Sequence, residues 1–359
     1  MTIATYGSLF AGVGGIDIGL DSAGLNCLFQ VEIDESCQQT LSYHWPDVPK
    51  YRDIKDVSGH DLPPVDLITF GSPCQDLSVA GKRAGLDGER SGLFHEAVRI
   101  IKEMREKTNG EYPKISIWEN VTGALSSNGG ADFGQVLYEM DEAGACLSEW
   151  AVLDAQYFGV PQRRRRIYLI SVYDPAIAAR CPDKILPVSQ SGSGNSKKSV
   201  KQGEEASGEV TSCLRSVGEG GVPSSREIIG FSHTQGLDPQ ASSSAWPTLR
   251  AEGGGHAVAI VLDGTRVNDV RTYEDDKTPC LTNRMGTGGN TVLMVSPQPI
   301  TNIRRLTPLE CERLMGWPDN HTLHRADGKT NSDSARYRMC GNGVASPVIK
   351  WIADQIKEL

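Results

Sequence analysis

The chain has 359 residues, 38% hydrophobic and 6% aromatic, and a formal net charge of -9. That length exceeds one ordinary core, so two domains are expected, and no run reaches the roughly 18 apolar residues of a membrane span. The acidic balance argues against binding nucleic acid through bulk charge and leaves that task to local basic patches.

The first residues lack a basic stretch ahead of a long apolar one, so no secretory signal is expected. Thr5–Phe10 reads as a strand and Ala11–Gly15 as a glycine turn. The spacing of Ile16, Leu20 and Ala23 predicts a helix, closed by Gly24. Strand, glycine turn and helix form the arrangement that cradles a nucleotide-like cofactor. It is not the dinucleotide fingerprint, because the third glycine of that pattern falls on Asp17. A second strand, Cys27–Val31, ends in Glu32, a carboxylate placed either for two ribose hydroxyls or simply for water.

Asp53-Ile54 precedes the central strand, Val65–Phe70, which Gly71 and Pro73 stop. Cys74 is then expected at the carboxyl end of a strand, where open α/β sheets bind ligands. A single cysteine is as easily an inert core residue. The nine cysteines are scattered with no C-x-x-C pair, which speaks against disulfides or zinc and fits a reducing cytoplasm. Gly81, Gly85, Gly88 and Gly92 mark a flap, and apolar spacing predicts a helix from about Leu93 to Lys107. Ile115–Trp118 is a short strand ending in Glu119. A helix near Phe133–Ala143 and a strand near Glu149–Leu153 follow. The run Gln162–Arg166 leads into the strand Ile167–Val172. If that run is extended, Gln162, Arg164 and Arg166 share one face and Arg163 and Arg165 the other.

From Asp174 to about Asn302 the texture changes. Ser189–Glu209 reads as a flexible connection. Three pieces then recur, centred on Leu214, Leu249 and Leu281, each a short apolar strand before a glycine-rich loop. The chain then returns to its first texture, with Thr307, Pro308 and Glu310 forming a helix start that runs to Met315. Gly341-Asn342-Gly343 turns into a last helix, whose stripe is Val344, Val348, Ile349, Ile352, Ala353 and Ile356. So short a tail is expected to pack back on the N-terminal sheet.

Several of these pieces together resemble the DNA cytosine-5 methyltransferases of bacterial and phage modification systems. They are, in order, Phe10–Gly15, Glu32, Asp53, Gly71-Ser72-Pro73-Cys74-Gln75, Glu119-Asn120-Val121 and Gln162-x-Arg164-x-Arg166. Arg305–Pro308 with Glu310-Cys311, and Gly341-Asn342, complete the set. The resemblance implies an α/β fold, a doubly wound, mostly parallel Rossmann-like sheet over residues 1–173 plus 303–359. A smaller β-rich target-recognition domain would occupy residues 174–302. Gly343 stands where many relatives have Ser. Thr248-Leu249 matches the family's Thr-Leu feature, and Cys280-Leu281 competes for that role.

The implied methyl donor is S-adenosyl-L-methionine, leaving as S-adenosyl-L-homocysteine. Phe10, Ala11, Gly12, Gly14, Gly15, Glu32, Ile33, Asp53 and Ile54 would hold it, with Pro73, Leu93, Asn342 and Val344 beside them. Cys74 would attack a flipped cytosine, Glu119 would protonate it, and Arg164 and Arg166 would hold the base and a nearby phosphate. Gln75, Ser78, Lys82, Arg90, Gln162, Arg163, Arg165, Thr248, Leu249 and Arg250 would touch double-stranded DNA. The implied protein is a cytoplasmic monomer, without membrane or metal, with room for a cognate restriction endonuclease. The alternatives are a tRNA cytosine-5 methyltransferase on the same fold and a catalytically inactive DNA-binding relative. A dinucleotide oxidoreductase comes third.

Overall fold

The structure, a computed structural model, describes residues 3–72, 92–182, 184–186, 213–215, 259–266, 269–273, 278, 280–281, 294–297 and 304–359. The first strand, β1 (Thr5–Leu9), leads through the glycine turn into α1 (Gly15–Ser22). Then come β2 (Asn26–Val31), α2 (Glu35–His44), β3 (Lys50–Tyr51) and β4 (Leu67–Phe70). Next are α3 (Gly92–Lys107), β5 (Ile115–Val121), α4 (Ala131–Glu142), β6 (Leu147–Asp154), β7 (Arg165–Val172) and α5 (Pro175–Ala178). After these lie the strands β8 (Cys213–Arg215), β9 (Ala259–Arg266), β10 (Asp269–Tyr273), β11 (Met294–Pro297) and β12 (Arg304–Arg305). The helices α6 (Pro308–Leu314), α7 (Asp333–Asn342) and α8 (Ser346–Lys357) close the chain.

The large sheet has the order β3-β2-β1-β4-β5-β7-β6-β8, and its first five strands run parallel. The strand β7 runs antiparallel to both β5 and β6. Alternate side chains leave opposite faces. Ile68, Phe70, Trp118, Ile167 and Leu169 meet α3 and α4, while Leu67, Ile117, Tyr168 and Ile170 belong to the cluster containing α1 and α8. Helices on both faces and a mostly parallel sheet are the expected doubly wound α/β class. The tail does pack back: Gly19 of α1 has so little room that a Cβ there would lie 2.6 Å from Ile349 of α8. A small antiparallel sheet, β10-β9-β11-β12, stands apart from the large one in pairing.

Two expectations change. Glu119 lies inside a strand, not beyond its end, because β7 pairs with all seven residues of β5 through Val121. The segment 333–342, on which the sequence reading is silent beyond its two ends, forms α7, capped by Ser332 accepting from the Ala335 amide. Its buried face is Arg336, Met339 and Cys340, so no apolar stripe announces it. Gly341-Asn342 therefore closes one helix before the next begins at Ser346.

The three similar pieces are not equivalent either. The one at Leu214 lies on β8 and pairs with β6 at the edge of the large sheet. Leu281 is buried among Val13, Leu306 and Trp317, beside the glycine turn. Leu249 lies outside the described residues. Sequence similarity in short strand-plus-glycine pieces carried no information about their partners.

Candidate active site

The glycine turn is built by backbone angles that glycine adopts readily: φ is 58° at Gly12 and 84° at Gly14, and Phe10 joins them at 55°. The Gly14 amide donates to the Ala11 carbonyl at 2.9 Å. The Gly12 amide donates to Glu32 Oε2 at 2.7 Å, and Glu32 Oε1 accepts from the Asp34 amide at 2.8 Å. Burial raises the Glu32 carboxyl above its ordinary value, against the two amides that favour its charge. Asp53 caps a short helical turn by accepting from the Lys55 amide.

In front of this turn the space is open, since a Cβ added at Gly12 would meet nothing within 4 Å. Ile33, next to Glu32, is 61% exposed although apolar. An open glycine cradle, a carboxylate with remaining acceptor capacity and an exposed apolar side chain fit a ligand with ribose and a flat base. Gly14 and Gly15 serve the back of the turn, where they meet Trp45 and the Val344 backbone. Ile54 and Val344 are buried in core clusters, which leaves only their backbone to face a ligand. Leu93 is half-buried against the core, Ala11 is buried and Asn342 is exposed.

The second gathering centres on Glu119. In the β5–β7 register Glu119 lies opposite Tyr168 and Val121 opposite Arg166, so Glu119 and Arg166 are diagonal neighbours on one face. Arg166 Nε stands 3.2 Å from Glu119 Oε1. The other carboxylate oxygen faces the end of β4, where a Cβ on Gly71 would lie 3.2 Å from it. Ser72 is held there by the Trp118 indole, which donates to its hydroxyl at 3.2 Å. Burial raises the Glu119 carboxyl above its ordinary value, and Arg166 and Arg164 offset this only in part. A carboxyl that holds its proton beside a cationic group can act as a proton donor.

Arg164 does not present its head to a base or phosphate, as was expected. It is 2% exposed and donates to the carbonyls of Leu281, Gly341 and Gly343. Gln162 is also corrected: it is wholly buried and donates to the Leu314 carbonyl, so it does not reach DNA. Arg163 and Arg165 are exposed on the other face, as alternation requires. Cys280, missed by the sequence reading as a site neighbour, sits 3.1 Å from Arg164 and 3.7 Å from Arg166, whose charges lower its thiol pKa. Pro73, Cys74, Gln75, Ser78, Lys82, Arg90, Thr248, Leu249 and Arg250 lie outside the described residues. Among the described residues no helix is long and apolar enough to cross a membrane, and no group of side chains could hold a metal ion.

Residues 4–358 match the family model for C-5 cytosine-specific DNA methylases. The chain belongs to the C-5 cytosine-specific DNA methylases. Such methyltransferases take their methyl group from S-adenosyl-L-methionine. The type II methyltransferase M.BsuFI of Bacillus subtilis is 28% identical over 99% of this chain and 72% of its own length. A protein of Escherichia phage P1 described as a DNA N-6-adenine-methyltransferase is 26% identical over 98% of this chain, which spans 61% of that protein. The crystal structure of the S. pombe Dnmt2 methyltransferase shares the fold, with a TM-score of 0.60, 16% identity and 99% of each chain covered. This methylase thus has the family's sheet, with Glu119 among the last paired residues of β5 and Arg166 beside it at the start of the antiparallel β7.

Proposed function

We propose that this chain transfers a methyl group to carbon 5 of a cytosine flipped out of duplex DNA, through a covalent adduct with Cys74. The observation that carries this reading is the buried Glu119 carboxyl, paired with Arg166 and facing the end of β4. Cys74 follows Gly71 by three positions in the sequence. The Cys74 sulfur attacks ring carbon 6 of the cytosine while Glu119 delivers a proton to ring nitrogen 3, which turns carbon 5 into a nucleophile. S-adenosyl-L-methionine, when bound, supplies an electrophilic methyl group. Carbon 5 takes the methyl group and then loses its proton, the sulfur departs from carbon 6, and the proton on ring nitrogen 3 returns to Glu119, leaving 5-methylcytosine and a free Cys74. Arg166 keeps the carboxyl oriented toward the base.

The cradle would hold the methyl donor with its methionine part along Phe10–Gly15, its ribose on Glu32 and its adenine against Ile33 and Asp53. Residues 1–173 plus 303–359 would form the catalytic domain and 174–302 the target-recognition domain, in a soluble protein acting on DNA in the cytoplasm. The test is to incubate the protein and methyl donor separately with duplex DNA and with tRNA, then analyse the nucleosides by mass spectrometry. We expect 5-methylcytosine in the duplex, none in the tRNA, and none from Cys74→Ser, which still binds DNA. N6-methyladenine as the product, the base for which the phage P1 relative is named, would sink the reading. Activity surviving Cys74→Ser would discard the adduct.

A further inference from the structure

The glycine turn is gripped from behind by histidines that no sequence motif singles out. His321 is 2% exposed and sets its Nε2 2.6 Å from the carbonyl oxygen of Val13, between Gly12 and Gly14. A carbonyl only accepts, so Nε2 carries the hydrogen, and burial keeps the ring neutral. His44 stacks on it with ring centroids 4.0 Å apart, and its own Nε2 lies 2.7 Å from the His321 carbonyl. Trp317 and Trp45 flank the ring, and Trp45 also covers Gly14, where a Cβ would lie 2.5 Å from the indole.

The peptide joining Val13 to Gly14 is therefore pinned at both ends. Its N–H donates to the Ala11 carbonyl at 2.9 Å, and its C=O accepts from His321. A peptide plane held in this way cannot flip, and a flip here would swing a carbonyl dipole into the turn. We propose that His321 is a positioning residue for methyl-donor binding: its hydrogen bond to Val13 holds the turn in the shape that receives the donor's methionine part. The inference rests on the proposed reading of the cradle as the S-adenosylmethionine site.

The test measures S-adenosylhomocysteine affinity by calorimetry, which does not depend on turnover, for wild type, His321→Phe, His321→Met and His321→Gln. Phe keeps a ring against His44, Met fills the space flexibly, and only Gln retains a donor that reaches Val13. The expected result is affinity weakened on the order of tenfold in the Phe and Met variants and near wild type in the Gln variant. KM for S-adenosylmethionine rises in parallel, while kcat at saturation and duplex affinity stay put. Wild-type affinity in the Phe variant, or equal weakening in all three, overturns the proposal. So does failure of both donor-less variants to fold, because the donor would then serve the chain and not its ligand. Absence of binding by the wild type instead overturns the reading of the cradle, and the inference with it.

Discussion

At the scale of single residues, Glu119 is defined by a competition between burial and charge. Burial favours its protonated form, and Arg166 and Arg164 resist without prevailing. A carboxyl that keeps its proton to higher pH is useful only while it keeps it. We expect single-turnover rates at saturating DNA and donor to fall as pH rises through its elevated pKa. Glu119→Gln should lower the rate by roughly 10²–10⁴-fold and flatten that limb of the profile, with duplex affinity retained. A stopped-flow pH series on both proteins checks this. The place of Glu119 near the end of a buried strand was legible in the sequence, because it follows the apolar run Ile115–Trp118. The role of Gln162 was not. Alternation placed it correctly on the face of Arg164, but nothing local revealed that Leu314, 152 positions away, takes its amide.

Elements show where close approach replaced chemistry as the reason for a residue. Gly19 lies in mid-helix, where glycine weakens a helix, yet a Cβ there would strike Ile349 and the Ser346 carbonyl of α8. Gly19→Val should cost about 1–3 kcal/mol or more in denaturant unfolding, through overpacking. The histidine pair behind the glycine turn belongs to this scale too. Burial and the neighbouring His44 hold the His321 ring down at about 4, while the unfolded chain takes up the proton near 6.5. The folded form binds fewer protons across that interval, so stability is complete above it and drains away as pH falls through it. The loss is at most about 3 kcal/mol. His321→Gln should remove most of that slope in thermal melts between pH 7 and pH 4. The start of α6 was readable from Thr307, Pro308 and Glu310, and its reciprocal capping bonds are all present. The helix α7 was not readable, because its buried side includes Arg336, which pairs with Glu312 of α6 at 3.0 Å. A helix that buries an ion pair has no apolar stripe to read.

In the whole molecule, one sheet collects seven strands from the chain's first half and β8 from beyond it, and is covered by the last helix, α8. Ile349, Ile352, Ala353 and Ile356 share a cluster with Tyr6, Leu67 and Tyr168. Ending the chain at Val344 should therefore abolish cooperative unfolding, and calorimetry on the truncated protein would show a broad or missing transition. The return of the tail followed from its length alone, since so few residues cannot close a core. The order of the large sheet was only half legible: strand direction follows from the alternation with helices, but the reversed β7 depends on pairing at long range.

One guanidinium has a consequence for how such proteins can change. Arg164 fastens the segment around Leu281 to the C-terminal return, at Gly341 and Gly343. These three oxygens belong to the main chain, and the Cys280 sulfur, 3.1 Å away, is the side chain that joins them. A segment borrowed from a relative can differ beyond this knot, yet its end must still bring a carbonyl to the same spot. Crossovers that cut outside Thr278–Leu281 should give working hybrids, and those that cut within it should not.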